Sequence, residues 1–213
     1  MKGKPSAPSI VAGPAELGPR PSPFAINPDL DAESLRDRFL AVGRVHIAHF
    51  LEPDGAARLA EPLRTRPHWI LVINQEDKLF ELGREGQAAL TDEQKAQLDA
   101  AVHRSARHGF QYRYETLRVP DGARERAADR SLLARFAEFL SSEEVLAFLR
   151  RITAAPAIRF ADAQATAYSP GHFLTAHDDD VAGKNRAAAY VMYLSPDWRP
   201  DWGGLLMFDG ADS

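Results

Sequence analysis

The hydrophobic pattern of this chain changes period near Pro156, and that change bounds what the chain can fold into. Before it, apolar residues recur at helical spacing. Leu132, Leu133, Phe136, Phe139 and Leu140 form one stripe, and Val145, Leu146, Phe148, Leu149 and Ile152 form the next. After it, residues 157–168, 173–176, 186–194 and 205–208 alternate or run apolar over strand lengths. A helix-rich part that hands over to a strand-rich part predicts an α+β fold.

The earlier signals read as the support of one domain. Asp31 caps a helix that carries Leu35, Phe39 and Leu40 and ends at Gly43. Residues 44–50 alternate as a half-buried strand, Pro53 opens a helix through Leu59 and Leu63, and Trp69-Ile70-Leu71-Val72-Ile73 suits a buried strand. Thr91-Asp92-Glu93-Gln94 starts a helix leading to Leu98 and Val102, and residues 110–119 alternate again as a strand. Seven of the 15 prolines fall in the first 28 residues, where fixed φ and missing N–H groups oppose helix and ladder alike. The expected organisation is a flexible Pro-rich tail over 1–28, a helix-rich supporting region over 29–155, and a β core from 156 to 213.

Composition narrows the chemistry. No apolar run approaches the ~18 residues of a membrane span, so no membrane partner is expected. Twenty-six Lys and Arg against 30 Asp and Glu leave a net charge of −4, the wrong sign for a nucleic-acid partner. The absence of cysteine excludes disulfides, iron–sulfur clusters, thiol nucleophiles and Cys-ligated zinc. Any metal must sit on nitrogen and oxygen. The first residues lack the continuous apolar stretch of a secretory signal, so a cytoplasmic location is expected, and a homo-oligomer is compatible with this composition.

The chemistry concentrates in Tyr168-Ser-Pro-Gly171-His-Phe-Leu-Thr-Ala-His177-Asp178-Asp179-Asp180. In an extended strand, residues i and i+2 share a face, so His177 and Asp179 would close on one ion while Asp178 points away. An imidazole and a carboxylate suit Fe(II), Mn(II) or Zn(II), and two histidines with one carboxylate hold non-haem Fe(II) in oxygenases. The competing reading is an acidic turn with a solvated histidine.

The run Arg186-Ala-Ala-Ala-Tyr-Val-Met-Tyr193-Leu-Ser-Pro-Asp-Trp198, followed by Trp202-Gly203-Gly204-Leu-Leu-Met-Phe208, supplies further context. Together with the His-x-Asp segment, it resembles the Fe(II)- and 2-oxoglutarate-dependent dioxygenases of the prolyl 4-hydroxylase-like superfamily, over about residues 160–208. The resemblance implies a double-stranded β-helix (jelly-roll, cupin-like) core with supporting N-terminal helices, and His177 and Asp179 as iron ligands. It further implies that Tyr193, and less directly Tyr168, bind 2-oxoglutarate. Arg186 and Trp198 would face substrate or brace the site, with a surface ion pair and plain packing as their respective alternatives. Gly203 and Gly204 would permit a bend, and Trp202 would pack. The implied reaction hydroxylates an unactivated C–H, with succinate and CO₂ as co-products. The retained Asp179 favours hydroxylation over halogenation, and ascorbate is implied as the iron reductant. The substrate would be a peptide or protein, with a prolyl residue as the target, or a small molecule.

The sequence also departs from the family pattern. No histidine follows His177, and neither the family's downstream third iron ligand nor the Arg or Lys that anchors the far carboxylate of 2-oxoglutarate is found. His172 has an odd offset from His177, and His46, His49, His68, His103 and His108 lie far earlier in the chain. The expectation is therefore a truncated oxygenase, weak or inactive as this chain alone. The alternative is a catalytically inactive binding or structural module on a degenerate oxygenase scaffold. A divalent-metal hydrolase is disfavoured because no His-Glu-x-x-His helix accompanies the pair.

Overall fold

The structure is a computed structural model that describes residues 21–75, 78–120, 122–179, 183 and 185–208. Its sheet is antiparallel, built from β1 (Ile70–Gln75), β2 (Lys78–Gly83), β3 (Tyr112–Arg118), β4 (Gln164–Ala167) and β5 (Phe173–Leu174). The strand order is β2-β1-β3-β4, with β5 also paired to β3. β4 and β5 occupy the same edge of β3. β4 pairs with residues 115–118, β5 pairs with Tyr112 and Arg113, and residues 168–172 loop out between them. That edge carries the His-x-Asp segment.

The helices are α1 (Ala32–Val42), α2 (Gly55–Thr65), α3 (Arg84–Ala89), α4 (Asp92–Ala106), α5 (Ala123–Ala128), α6 (Leu132–Leu140) and α7 (Glu143–Thr153). Their ends follow local chemistry. The Asp31 carboxylate accepts from the N–H groups of Glu33 and Ser34, and Gly43, with φ 70°, donates back to the Phe39 carbonyl. Thr91 and Gln94 exchange both bonds of a capping box at α4. Ser131 and Ser142 cap α6 and α7.

Strand register sorts the sheet into two unlike faces. Directly paired residues share a face, so Leu71 and Glu115, Ile73 and Arg113, and Arg113 and Phe173 lie on one side. α4 covers this side through Leu98 and Val102, which pack with Leu71, Ile73, Leu82 and Phe173. Asp99 of α4 pairs with Arg113, and Arg84 and Gln87 of α3 reach Glu115 at 3.4 Å each. Farther along the same face, Leu117, Ala165 and Ala167 join Trp69 and the apolar stripes of α2, α6 and α7. Burying each large side chain there contributes about 1.5–3 kcal/mol. The opposite face carries Val72, Tyr112, Tyr114 and Thr116.

Several expectations are corrected. Residues 21–28 are not tail. Phe24 is 4% exposed and packs edge-on against Phe136 at 5.1 Å, and Ile26 bridges to Leu51. Core burial there outweighs proline content; residues 1–20 lie outside the described residues. Residues 44–50 form no strand, because that single bridge at Leu51 is all the pairing their neighbourhood receives. Leu40 lies on the exposed side of α1. β2, α3 and α5 add elements that residue patterning did not indicate.

Residues 186–194 and 205–208 also form no strand. The alternation of the first segment survives without a ladder, since Met192 and Leu194 pack on the helical core while Tyr193 leaves more than half its surface to solvent. Among the described residues the β structure is thus one antiparallel sheet, and the second sheet of a jelly-roll is not present. Among them, too, no helix is long and apolar enough to cross a membrane.

If residues 21–28 belong to the core, Phe24→Ala lowers the urea-unfolding free energy by about 3 kcal/mol. A residue in a solvated tail would change it negligibly.

Candidate functional site

The chain passes from β5 into residues 175–179, on the side of the sheet opposite α4. His177 Nδ1 lies 2.9 Å from the Thr175 carbonyl. A carbonyl only accepts, so Nδ1 carries the proton of that bond, and Nε2 is the free position. Nε2 faces Asp179 Oδ1 at 3.1 Å. Two lone pairs at that separation repel, so the arrangement calls for a proton or a cation between them. With metal–ligand bonds of about 2.1 Å, atoms so spaced subtend about 95° at an ion, the angle of neighbouring octahedral positions. The pair therefore fits two positions of a divalent-metal site.

The route to this geometry is not the expected one. β5 ends at Leu174, and Asp179 has a left-handed backbone with φ 59°. A turn, rather than the alternation of a strand, swings the carboxylate back onto the imidazole; Asp tolerates that region better than most residues. Arg186 braces the turn. Its guanidinium donates to the Asp179 carbonyl at 3.2 Å and to Asp162 Oδ2 at 3.4 Å, which ties the loop to the residues ahead of β4. Asp162, the carboxylate that Arg186 meets, was not singled out from the sequence.

Three polar residues that sequence reasoning missed hold the strand under His177. Asn74, near the end of β1, accepts the Tyr112 N–H at 2.7 Å and donates to the Phe110 carbonyl at 2.9 Å, so its side chain continues the bonding where the β1–β3 pairing stops. Gln111, 1% exposed, donates to the Asn74 carbonyl at 2.6 Å and to its Oδ1 at 3.0 Å. The Gln111 backbone in turn binds Thr175. The available signal was a polar residue directly after the Trp69 run and another inside the Phe110 strand.

An aromatic row crosses the same face. His177 lies 5.6 Å from Phe110, which is 5.6 Å from Tyr112; Tyr112 is 5.4 Å from Tyr114, which stacks on Tyr168 at 5.6 Å. The last member sits on the 168–172 loop, opposite Tyr114. Burial, helped by the Tyr114 and Tyr193 phenols, pushes the Tyr168 hydroxyl up to about 12. Burial likewise raises Tyr112. Tyr168 and Tyr193 are thus neighbours. The row sets Tyr168 at the end away from His177, and no hydrogen bond or ring contact joins Tyr193 to His177 or Asp179 among the described residues.

The remaining candidates are spoken for locally. The Trp198 indole N–H donates to the Gly203 carbonyl at 2.9 Å, closing the 3-10 turn Pro200–Trp202. Gly203 and Gly204 have φ of 79° and 68°, so the Gly-Gly pair makes a bend, as expected. His172 Nδ1 accepts the Ser169 N–H at 3.1 Å within its own loop, and burial lowers its pKa. His103 stacks on Phe173, on the helix-covered face. Among the described residues, no group of three His, Asp or Glu side chains could hold a metal ion.

Two measurements check this geometry. Asn74→Ala leaves the Tyr112 N–H and the Phe110 carbonyl without their partner, while Gln111 keeps the Asn74 carbonyl, and should cost about 2–3 kcal/mol in urea unfolding. In an alkaline absorbance titration, Tyr168→Phe should remove amplitude from the phase near pH 12. The raised phenol favours the fold fully below its unfolded value near 10, and that contribution fades as pH climbs through about 12.

No curated protein and no solved structure matches the chain. Residues 163–213, which contain His177, Asp179, Tyr168, Arg186 and Tyr193, match the family model of the 2OG-Fe(II) oxygenase superfamily.

Proposed function

We propose that the chain carries the iron-binding segment of a 2-oxoglutarate-dependent dioxygenase that hydroxylates an unactivated C–H, with a prolyl residue of a peptide or protein as the preferred target. The observation that carries this reading is the His177–Asp179 pair at 3.1 Å, lying within the matched residues. In this reading the sheet is one wall of a double-stranded β-helix, with its helices outside and the aromatic row inside. Fe(II) with bound 2-oxoglutarate supplies the oxidising chemistry; substrate, O₂ and 2-oxoglutarate become hydroxylated product, succinate and CO₂.

The residues of this chain have defined tasks. His177 offers Nε2 and Asp179 offers Oδ1 to the metal. Arg186 holds the turn that presents Asp179. Burial keeps the Tyr168 hydroxyl protonated well above neutral pH, so it can donate a hydrogen bond to a carboxylate of 2-oxoglutarate, and the Tyr193 hydroxyl can offer a second. Phe110, Tyr112 and Tyr114 wall the site with rings that limit water and give an apolar substrate something to lie on. A second reading, a binding module on an inactive oxygenase scaffold, draws on the donor count, since two protein ligands rather than three are found among the described residues.

The test is conversion of 2-oxoglutarate to succinate with Fe(II) and ascorbate, over a panel of proline-containing peptides. Iron-dependent succinate formation that falls at least about a hundredfold in His177→Ala and in Asp179→Ala supports the proposal. Turnover indifferent to both substitutions overturns it. Retained 2-oxoglutarate binding without turnover favours the second reading.

A further inference from the structure

The register of β5 explains why His177 presents Nε2. β3 and β5 pair through Tyr112 with Leu174 and Arg113 with Phe173, so the next pair is Gln111 with Thr175. In an antiparallel ladder such a pair exchanges two backbone bonds. One of them is made, from the Thr175 N–H to the Gln111 carbonyl at 3.0 Å. In the other, the Thr175 side chain replaces the Thr175 carbonyl. The Gln111 N–H donates to Thr175 Oγ1 at 2.9 Å, and that hydroxyl donates on to the Gln111 carbonyl at 3.2 Å. The Thr175 carbonyl is left out of the ladder and accepts from His177 Nδ1 instead.

We propose that Thr175 is a positioning residue: its hydroxyl takes the ladder bond of its own carbonyl, and the released carbonyl holds the Nδ1 proton of His177 so that Nε2 faces Asp179. Gln111 serves the same end by being immobile. Its side chain is anchored on both oxygens of Asn74, so the N–H that Thr175 must satisfy has no freedom to find another partner. Without the hydroxyl, the Gln111 N–H either stays unsatisfied or recaptures the Thr175 carbonyl, and the ladder competes with His177 for one acceptor. This inference rests on the metal-site reading only for its purpose; the hydrogen-bond exchange stands on the geometry alone.

The test compares the unaltered chain with Thr175→Ser, which keeps the hydroxyl, and Thr175→Val, which replaces it with a methyl group of similar size. The first readout needs no metal: a hydrogen-bonded, slowly exchanging His177 Nδ1 proton in ¹⁵N-edited spectra. It should be present in the unaltered chain, retained in Thr175→Ser and lost in Thr175→Val. The second readout is Mn(II) affinity by electron paramagnetic resonance in the presence of 2-oxoglutarate, expected to fall about tenfold or more in Thr175→Val and to recover in Thr175→Ser. Should the valine chain fail to fold, Thr175→Ala removes the same hydroxyl without added bulk and is read in the same way. An Nδ1 proton that is absent from the unaltered chain, or that survives loss of the hydroxyl, overturns the proposal. His177→Ala separates the two readings. If it leaves Mn(II) affinity unchanged while the Nδ1 proton still depends on the Thr175 hydroxyl, the metal reading falls and the positioning role stands.

Discussion

β3 must satisfy two environments at once, and the rest of the molecule is arranged around that requirement. On one side its Arg113, Glu115 and Leu117 meet α4, α3 and the α2–α6–α7 cluster, where burial of apolar surface supplies the driving force. On the other, Tyr112 and Tyr114 continue an aromatic row that starts at Phe110 and ends at Tyr168. Because side chains alternate across a strand, a slip of one residue would put the phenols into the helical core and the salt bridges onto the open face. Register is therefore strongly specified, and with it the face on which His177 emerges.

The polar clamp at the start of β3 matters for a related reason. The β1–β3 pairing stops at Ile73 and Arg113 and β5 has only two residues, so the backbone ladder runs out just where the segment carrying His177 begins. Asn74 and Thr175 replace the missing backbone groups with side-chain ones. Each lends an amide or hydroxyl to a neighbouring strand, and the buried Gln111 between them is satisfied by those exchanges. A buried network of this kind is stabilising only when every member has a partner. The same condition makes it rigid, which the proposed metal site on the adjoining loop requires.

Much of the supporting region was legible in the residues. Asp31, Gly43 and the Thr91–Gln94 box mark helix ends because they satisfy backbone groups within a few residues of themselves. The stripes of α6 and α7 and the apolar run of β1 were legible for similar reasons, since their burial follows from periodicity. Residues 44–50 and 186–194 misled because alternation states only which side chains could share a face. A strand also needs a neighbour in register. Phe24 misled in the opposite direction: its prolines discouraged regular structure, yet irregular backbone can still bury a ring.

His177 and Asp179 as a candidate pair, and the nitrogen-and-oxygen limit on any metal, were determined by the residues themselves, because these depend on chemical type and close spacing. How the pair meets was decided by tertiary structure. It needs a left-handed turn at Asp179, a brace from Arg186 to Asp162, and a threonine hydroxyl exchanging partners with a glutamine that lies just ahead of β3, 64 positions earlier in the chain. Each of those depends on which segments lie side by side, and no local pattern of side chains encodes that adjacency.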